Sequence, residues 1–466
     1  MSEKALIKDL KTMLGNDRVL TAPEDKVAYS YDAAVVEQVI PVAVVQPESE
    51  EEMGMVVSYC HRNSIPLTVR GAGTNLSGGT VPHEKGIVLL TGRLNKIIEL
   101  NTEDMYAVVQ PGVITAHLAK AVEKQGLFYP PDPGSQAVST LGGNVAENAG
   151  GIRGLKYGVT KDYVLGLEFF SAEGNLIKTG SKTVKCVSGY NLAGLLVGSE
   201  GTLGVISRIT LKLIPQPPAR KSMMALFADI RSASQTVAAI IAEKVIPATL
   251  EFMDKFTIDA VERFSRAGLP TDVEAMLLIE VDGHPAQVED EAGKVEKICR
   301  ECGFIKIRVA ESEEERNKVW EARRSALSAL AKLRPTVVLE DATVPRSKIP
   351  NMVQAIQKIA EEYDVKIGTF GHAGDGNLHP TILTDKRNHE EWKRVEKAVE
   401  AIFDAALKLG GTLSGEHGIG IAKAPFLSKE IGRDSISYSM RIKRALDSRN
   451  ILNPGKILWL NGSYRE

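Results

Sequence analysis

Short β-branched runs dominate the start of the chain, and helical stripes dominate its third quarter. PVAVVQP (41–47) and PLTVR (66–70) read as strands. Between them lies SEEEMGMVVSYCHRN, with Ser49 and Glu52 at capping-box spacing, so the three segments predict a strand, helix, strand unit. From 71 to 158 helical periodicity fades and glycine takes over, in GAGTNLSGG, PPDPGS, TLGGNVAENAGG and RGLKYG. Strands resume in VLGLEFFSAEGNLIKTG, where Gly174 and Asn175 read as a hairpin turn, and in GVISRITLKLIPQP.

PQPPAR (215–220) marks the domain boundary. Beyond it, SASQTVAAIIAEKVI, QVEDEAGKVEKICREC and NKVWEARRSALSALAKL carry the helical period, separated by strand-like EAMLLIEVDG and PTVVLEDATVP. The mixture predicts an α+β second domain built on an antiparallel sheet. The tail MRIKRALDSRNILNPGKIL predicts a helix stopped at Asn453-Pro454-Gly455.

Composition narrows the function. A length of 466 residues calls for more than one domain, and 57 Lys+Arg against 59 Asp+Glu offers no electrostatic footprint for nucleic acid. The charged start MSEKALIKDL and the lack of any apolar run near the roughly 18 residues of a spanning helix point to a cytoplasmic protein with no spanning membrane segment. Of Cys60, Cys186, Cys299 and Cys302 only the last two form a C-x-x-C pair, too few ligands for an iron–sulfur cluster or a closed zinc site. One-electron chemistry then needs a bound organic cofactor or another subunit.

VRGAGTNLSGG places Gly71, Gly73, Gly78 and Gly79 directly after a strand, where inward-turned amides make an anion cradle, although the spacing is not that of the dinucleotide fingerprint. Further unhindered amides at 130–135, 142–144, 148–151 and 198–206 suit a long ligand threaded along backbone. With these motifs the chain resembles the FAD-binding family typified by vanillyl-alcohol oxidase and p-cresol methylhydroxylase. Within it, the chain is most similar to D-lactate dehydrogenases and the glycolate oxidase flavoprotein subunit.

The resemblance implies a two-part FAD-binding domain over 1–217, a cap domain for substrate and metal over 218–420, and a segment 421–466 returning to the FAD domain. It assigns Arg70, Gly71, Ala72, Gly73, Thr74, Asn75, Leu76, Ser77, Gly78 and Gly79 to the FAD diphosphate. Pro131, Gly134, Ser135, Gly142, Gly143, Asn144 and Gly151 go to the flavin and ribityl part, and Glu200, Gly201, Gly204 and Ile206 to the adenine end. Neither His83 nor His117 stands in a tethering context, so FAD is expected to be non-covalent.

GHAGDGNLHP (371–380) is the second chemical motif. With Asp375-Gly376 as a two-residue turn, His372 would face His379, with Cβ atoms about 4.5–5.5 Å apart, within reach of one cation. SGEHGIG (414–420) adds Glu416 and His417. Two histidines and a carboxylate suit a divalent ion with open positions, whether Fe, Zn or Mn. Resemblance to metal-dependent relatives makes His372, His379 and Glu416 the ligands and His417 the base, and Asn377 can hydrogen-bond the substrate oxygen. It also selects Arg323, in VWEARRSAL, to hold the substrate carboxylate, with Arg324 its competitor.

Relatives that use 2-hydroxyglutarate carry a lysine where this chain has Leu339, which favours a small monocarboxylate such as D-lactate or glycolate. With no nicotinamide fingerprint, the electrons are expected to pass to a protein acceptor, an electron-transfer flavoprotein or an iron–sulfur subunit. Three alternatives stay open: a flavin subunit that only relays electrons, a 2-hydroxyglutarate dehydrogenase, and a transferase of the same fold.

Overall fold

The structure is a computed structural model that describes residues 2–458; Met1 and the last eight residues of the 421–466 segment lie outside the described residues. The chain divides into two compact units. One comprises Met1–Gly150, Val159–Gln216 and Glu416–Glu466, and the other Gly151–Gly158 and Pro217–Gly415.

The first unit contains the anticipated strand, helix, strand motif. Ala43–Val45, Ile87–Leu90 and Leu67–Arg70 pair in parallel, with Val19–Leu20 antiparallel at the edge. The helix Glu50–Asn63 begins where Ser49 Oγ accepts from the Glu52 amide, while Glu52 reaches back to the amide of Glu48. That is half of a capping box, shifted by one residue on the return leg. Leu6, Leu10, Met53, Val56 and Val57 bury the helical faces against this sheet.

A second, antiparallel sheet in this unit runs Ile97–Asn101, Tyr106–Val109, Val205–Lys212, Val164–Phe170, Leu176–Gly180. Its last hairpin has a three-residue connection, closed by Ser171 N–H to Asn175 O, with residue 174 at φ +87°; the two-residue Gly174-Asn175 turn is not what forms. The tail helix Leu427–Leu446 also stops short of Asn453-Pro454. The Asp447 carboxylate accepts the amides of Ile451 and Leu452, ending the helix early and turning the chain so that Leu452 bridges Leu67.

The second unit is built on an eight-stranded antiparallel sheet, in the order Phe304–Val309, Ala219–Phe227, Ala275–Gly283, Thr249–Asp254, Lys366–His372, Asn377–Thr384, Thr336–Leu339, with Ala342–Thr343 also pairing to Asn377–Thr384. Alternation sorts the side chains. Leu277, Ile279, Leu250 and Phe252 face a layer formed by the helices Ile230–Ala242, Pro285–Glu301, Ile349–Glu362 and His389–Lys408. Met276, Leu278, Met253 and Phe370 face the opposite layer, with Lys255–Ser265, Glu313–Arg324 and Ala326–Ala331. The stripe read as one helix over 317–333 is thus two, separated at Ser325.

Candidate active site

In the first unit the glycine blocks converge. Ser135 Oγ donates to Thr74 Oγ1 at 3.4 Å, joining the 70–79 loop to the 130–135 segment. Arg70 is buried and donates to the carbonyl of Tyr31, and Asn75 donates to Asp32 at 2.8 Å. Gly78 has φ +80°, a conformation only glycine adopts without strain, and the neighbouring Ser77 Oγ is buried with no hydrogen-bond partner among the described residues. An orphaned hydroxyl beside a run of loop amides fits a ligand with acceptor oxygens, as a diphosphate has.

Gly142, Gly143 and Asn144 form the start of the helix Leu141–Glu147, and Asn144 donates to Thr115 Oγ1. Gly204 immediately precedes the strand Val205–Lys212, Ile206 is its second residue, and Gly201 has φ +71°. Gly151 belongs to the second unit.

Glu200 turns out to organise the loop that carries Glu416 and His417. Its carboxylate accepts the amides of Ile419 and Gly420 at 2.7 and 2.8 Å, and the carbonyl of Ser77 accepts those of Ile421 and Ala422. Asn453 donates to the carbonyls of both Gly79 and Glu200. Glu416 packs against Gly150, where a Cβ would stand 2.7 Å from its Oε2, and His417 is buried. Half-buried Glu147, with its Oε2 sealed from solvent, lies beside Glu200: burial pushes the Glu147 carboxyl well above the usual carboxylate range, and the charges of Glu200 and Asp32 push the same way. Glu147 was not named from the sequence.

The second unit holds His372, His379, Asn377 and Arg323, all buried. The histidine hairpin is not the predicted one. His372 pairs with Asn377 and His379 with Phe370, so residues 373–376 form a four-residue connection. The cause is anchoring: Ala373 is fully buried, the Gly374 amide donates to Leu250 O, and Gly376 has φ +97° with the Val344 carbonyl packed where a Cβ would be. The histidines are therefore diagonal neighbours on one sheet face, and their rings still meet, with centroids 5.0 Å apart at 88°.

Behind them stands Glu251, which the sequence reading missed. It is completely buried, its Oε1 lies 2.7 Å from His372 Nδ1, and its Oε2 is paired with Arg323 Nη2. Burial pushes this carboxyl up, yet the charge of Arg323 and the pairing with His372 outweigh it and hold it below the usual range. The Arg323 guanidinium sits 4.8 Å from the centroid of the Phe370 ring. Arg323 Nε and Asn377 Oδ1 are buried without a partner among the described residues. The signal for Glu251 was present in TLEFMD, a lone carboxylate inside an apolar strand.

Asp341, fully buried, accepts from Ser414 Oγ at 2.9 Å and the Gly415 amide at 2.8 Å. The chain leaves the second unit at the bond between Gly415 and Glu416.

Two family models match the chain: an FAD binding domain over residues 41–180 and the C-terminal domain of FAD linked oxidases over 216–457. The chain belongs to the FAD-linked oxidases. It is an FAD-dependent oxidoreductase. Among relatives of this FAD-linked oxidase, the glycolate oxidase subunit GlcD of Bacillus subtilis is 51% identical over 456 residues, covering 97% of each chain. A D-lactate dehydrogenase of Anaerostipes hadrus is 36% identical over 453 residues, covering 95% of each. p-Cresol methylhydroxylase shares the fold, with a TM-score of 0.81 at 19% identity, covering 97% of this chain and 96% of that one. No helix among the described residues of this FAD-linked oxidase is long and apolar enough to cross a membrane.

Proposed function

We propose that this FAD-linked oxidase converts a small D-2-hydroxy acid, D-lactate or glycolate, to the 2-oxo acid and passes the electrons to a partner protein, an electron-transfer flavoprotein or an iron–sulfur subunit. The observation that carries the reading is the pair of orphaned polar atoms, Arg323 Nε and Asn377 Oδ1, in the unit that also buries His372 and His379. A substrate carrying a carboxylate and an adjacent hydroxyl fits both groups: the carboxylate accepts from the guanidinium edge, and the hydroxyl oxygen is oriented by the Asn377 amide while its proton stays available to a base. The names of the relatives point to the same substrates.

In this reading His372, His379 and Glu416 hold a divalent cation, Fe, Zn or Mn, which supplies Lewis-acid polarisation of the substrate hydroxyl. Bound FAD supplies the acceptor for the hydride leaving C2. The 70–79 loop, Pro131, Gly134, Ser135, Gly142 to Asn144, Gly151, Glu200, Gly201, Gly204 and Ile206 form its non-covalent seat. Arg323 fixes the carboxylate, Asn377 orients the hydroxyl, and His417 takes the hydroxyl proton as the C–H bond breaks. Glu416 and His417 directly follow Gly415, which Asp341 holds where a Cβ would stand 2.6 Å from Asn377 Nδ2.

The test is anaerobic mixing of the FAD-loaded protein with D-lactate, L-lactate, glycolate and D-2-hydroxyglutarate while flavin absorbance is followed. Bleaching by a small D-hydroxy acid or glycolate, slowed by about 10²–10⁴-fold in His417→Ala, is expected. A flavin left oxidised by all four acids would sink the proposal in favour of an electron-relay subunit.

A further inference from the structure

Three polar groups meet on one face of the second unit's sheet, drawn from three distant parts of the chain. Glu251 lies on Thr249–Asp254, His372 ends Lys366–His372, and Arg323 lies in the last turn of the helix Glu313–Arg324. Leu250 and Phe252, flanking Glu251, turn to the opposite hydrophobic layer, so this carboxylate points to the face that also carries Met253 and Phe370. Each of its oxygens has a different partner: Oε1 the His372 Nδ1 at 2.7 Å, and Oε2 the Arg323 Nη2.

We infer that Glu251 is a positioning residue that sets the metal half and the substrate half of the site together: it fixes the His372 ring with Nε2 presented to the cation and fixes Arg323 with its Nε edge presented to the substrate carboxylate. This rests on the function proposed above. An ionised carboxylate only accepts hydrogen bonds, so His372 must carry its proton on Nδ1, and the lone pair falls on Nε2. A carboxylate behind a ligating imidazole also makes that imidazole a better donor to metal. On the other oxygen, the ion pair uses one terminal nitrogen of Arg323 and leaves Nε, the orphaned atom, for a second carboxylate.

Glu251→Gln is the decisive change because an amide has one accepting and one donating end. If its oxygen faces His372, its NH2 group opposes the Arg323 guanidinium and dislodges it. If its NH2 faces His372, it needs an acceptor at Nδ1, which moves the proton to Nε2 and blocks the ligand lone pair. Neither orientation serves both partners.

The measurement is the dissociation constant of Zn²⁺ for the FAD-loaded protein, by competition with a chromophoric chelator, alongside KM for the acid that bleaches the flavin. In Glu251→Gln the expected result is Zn²⁺ binding weakened by about 10–100-fold, or KM raised by a similar factor, with FAD content unchanged. A folded variant with wild-type Zn²⁺ affinity and KM overturns the inference, and so does a lowered Tm with both constants intact, which marks a merely structural group. Should Glu251→Gln fail to fold, Glu251→Asp keeps the charge on a shorter arm. It is expected to shift the same constants by a smaller factor, and unchanged constants there overturn the inference equally. A wild-type protein that binds no Zn²⁺ removes the metal reading beneath, a result distinct from a wild type that binds and a variant that binds as well.

Discussion

Two carboxylates with oxygens sealed from solvent meet opposite fates in the two units. In the FAD-binding unit Glu147 lies beside Glu200 with Asp32 nearby, and like charges add to the effect of burial, so Glu147 is held in its neutral form far beyond the usual range. In the other unit Glu251 is completely buried, yet Arg323 and His372 hold it ionised. Burial alone sets one direction, and partners decide whether it stands. The first arrangement suits a packed joint that fastens a loop. The second suits a charge kept to orient other groups.

The sharpest way to break the contrast is to delete the ionised carboxylate. Glu251→Ala leaves the Arg323 guanidinium buried without its counter-charge and is expected to destabilise the protein by about 3–5 kcal/mol, read from urea unfolding. A loss below about 1 kcal/mol would mean that Arg323 finds water or another partner.

Next comes the joint itself. A Cβ at Gly418 would stand 2.4 Å from Glu147 Oε2 and 3.1 Å from Glu200 Oε1, and the residue has φ +82°. Gly418→Ala is expected to cost about 1–3 kcal/mol and to lower the rate of flavin reduction by displacing the adjacent His417, while leaving FAD content intact. Unchanged reduction kinetics would separate the joint from the chemistry.

The smallest effect at low pH, and the most diagnostic, is in pH dependence. Glu147 binds its proton more tightly in the folded than in the unfolded chain. Its contribution to stability is complete below the ordinary glutamate value and is lost as pH climbs past it toward the raised one. Glu251 is lowered in the folded state, so its contribution is present above the ordinary value and lost as pH falls below it. Tm plotted against pH for Glu147→Gln should therefore converge with wild type on the acid side and flatten the loss above it. For Glu251→Gln the two curves should diverge as pH rises through the ordinary glutamate value. Parallel curves for both variants would erase the distinction between the sites.

How much of this was readable beforehand depends on distance along the chain. The strand, helix, strand start, the domain mixture and the two glycine-framed histidine loops follow from local period and turn chemistry. The hairpin register did not, because it depends on Ala373 sinking into the core and Gly374 binding Leu250, a contact from far upstream. Nor did Glu251, whose partner His372 is 121 residues away. The tail helix was overextended because the stop is the Asp447 side chain, while Asn453-Pro454-Gly455 only looks like one. Local patterns specify elements, and what a buried charge is for emerges only once its partners are assembled.

In the proposed reaction a cation and FAD act together on one hydroxy acid held by Arg323 and deprotonated by His417. The direct measurement is anaerobic flavin reduction by D-lactate and by glycolate in metal-loaded, chelator-stripped and reloaded protein. Reduction that falls by about 100-fold or more on stripping and returns on reloading, with FAD retained throughout, is the predicted result. Equal reduction rates in loaded and stripped protein would contradict it.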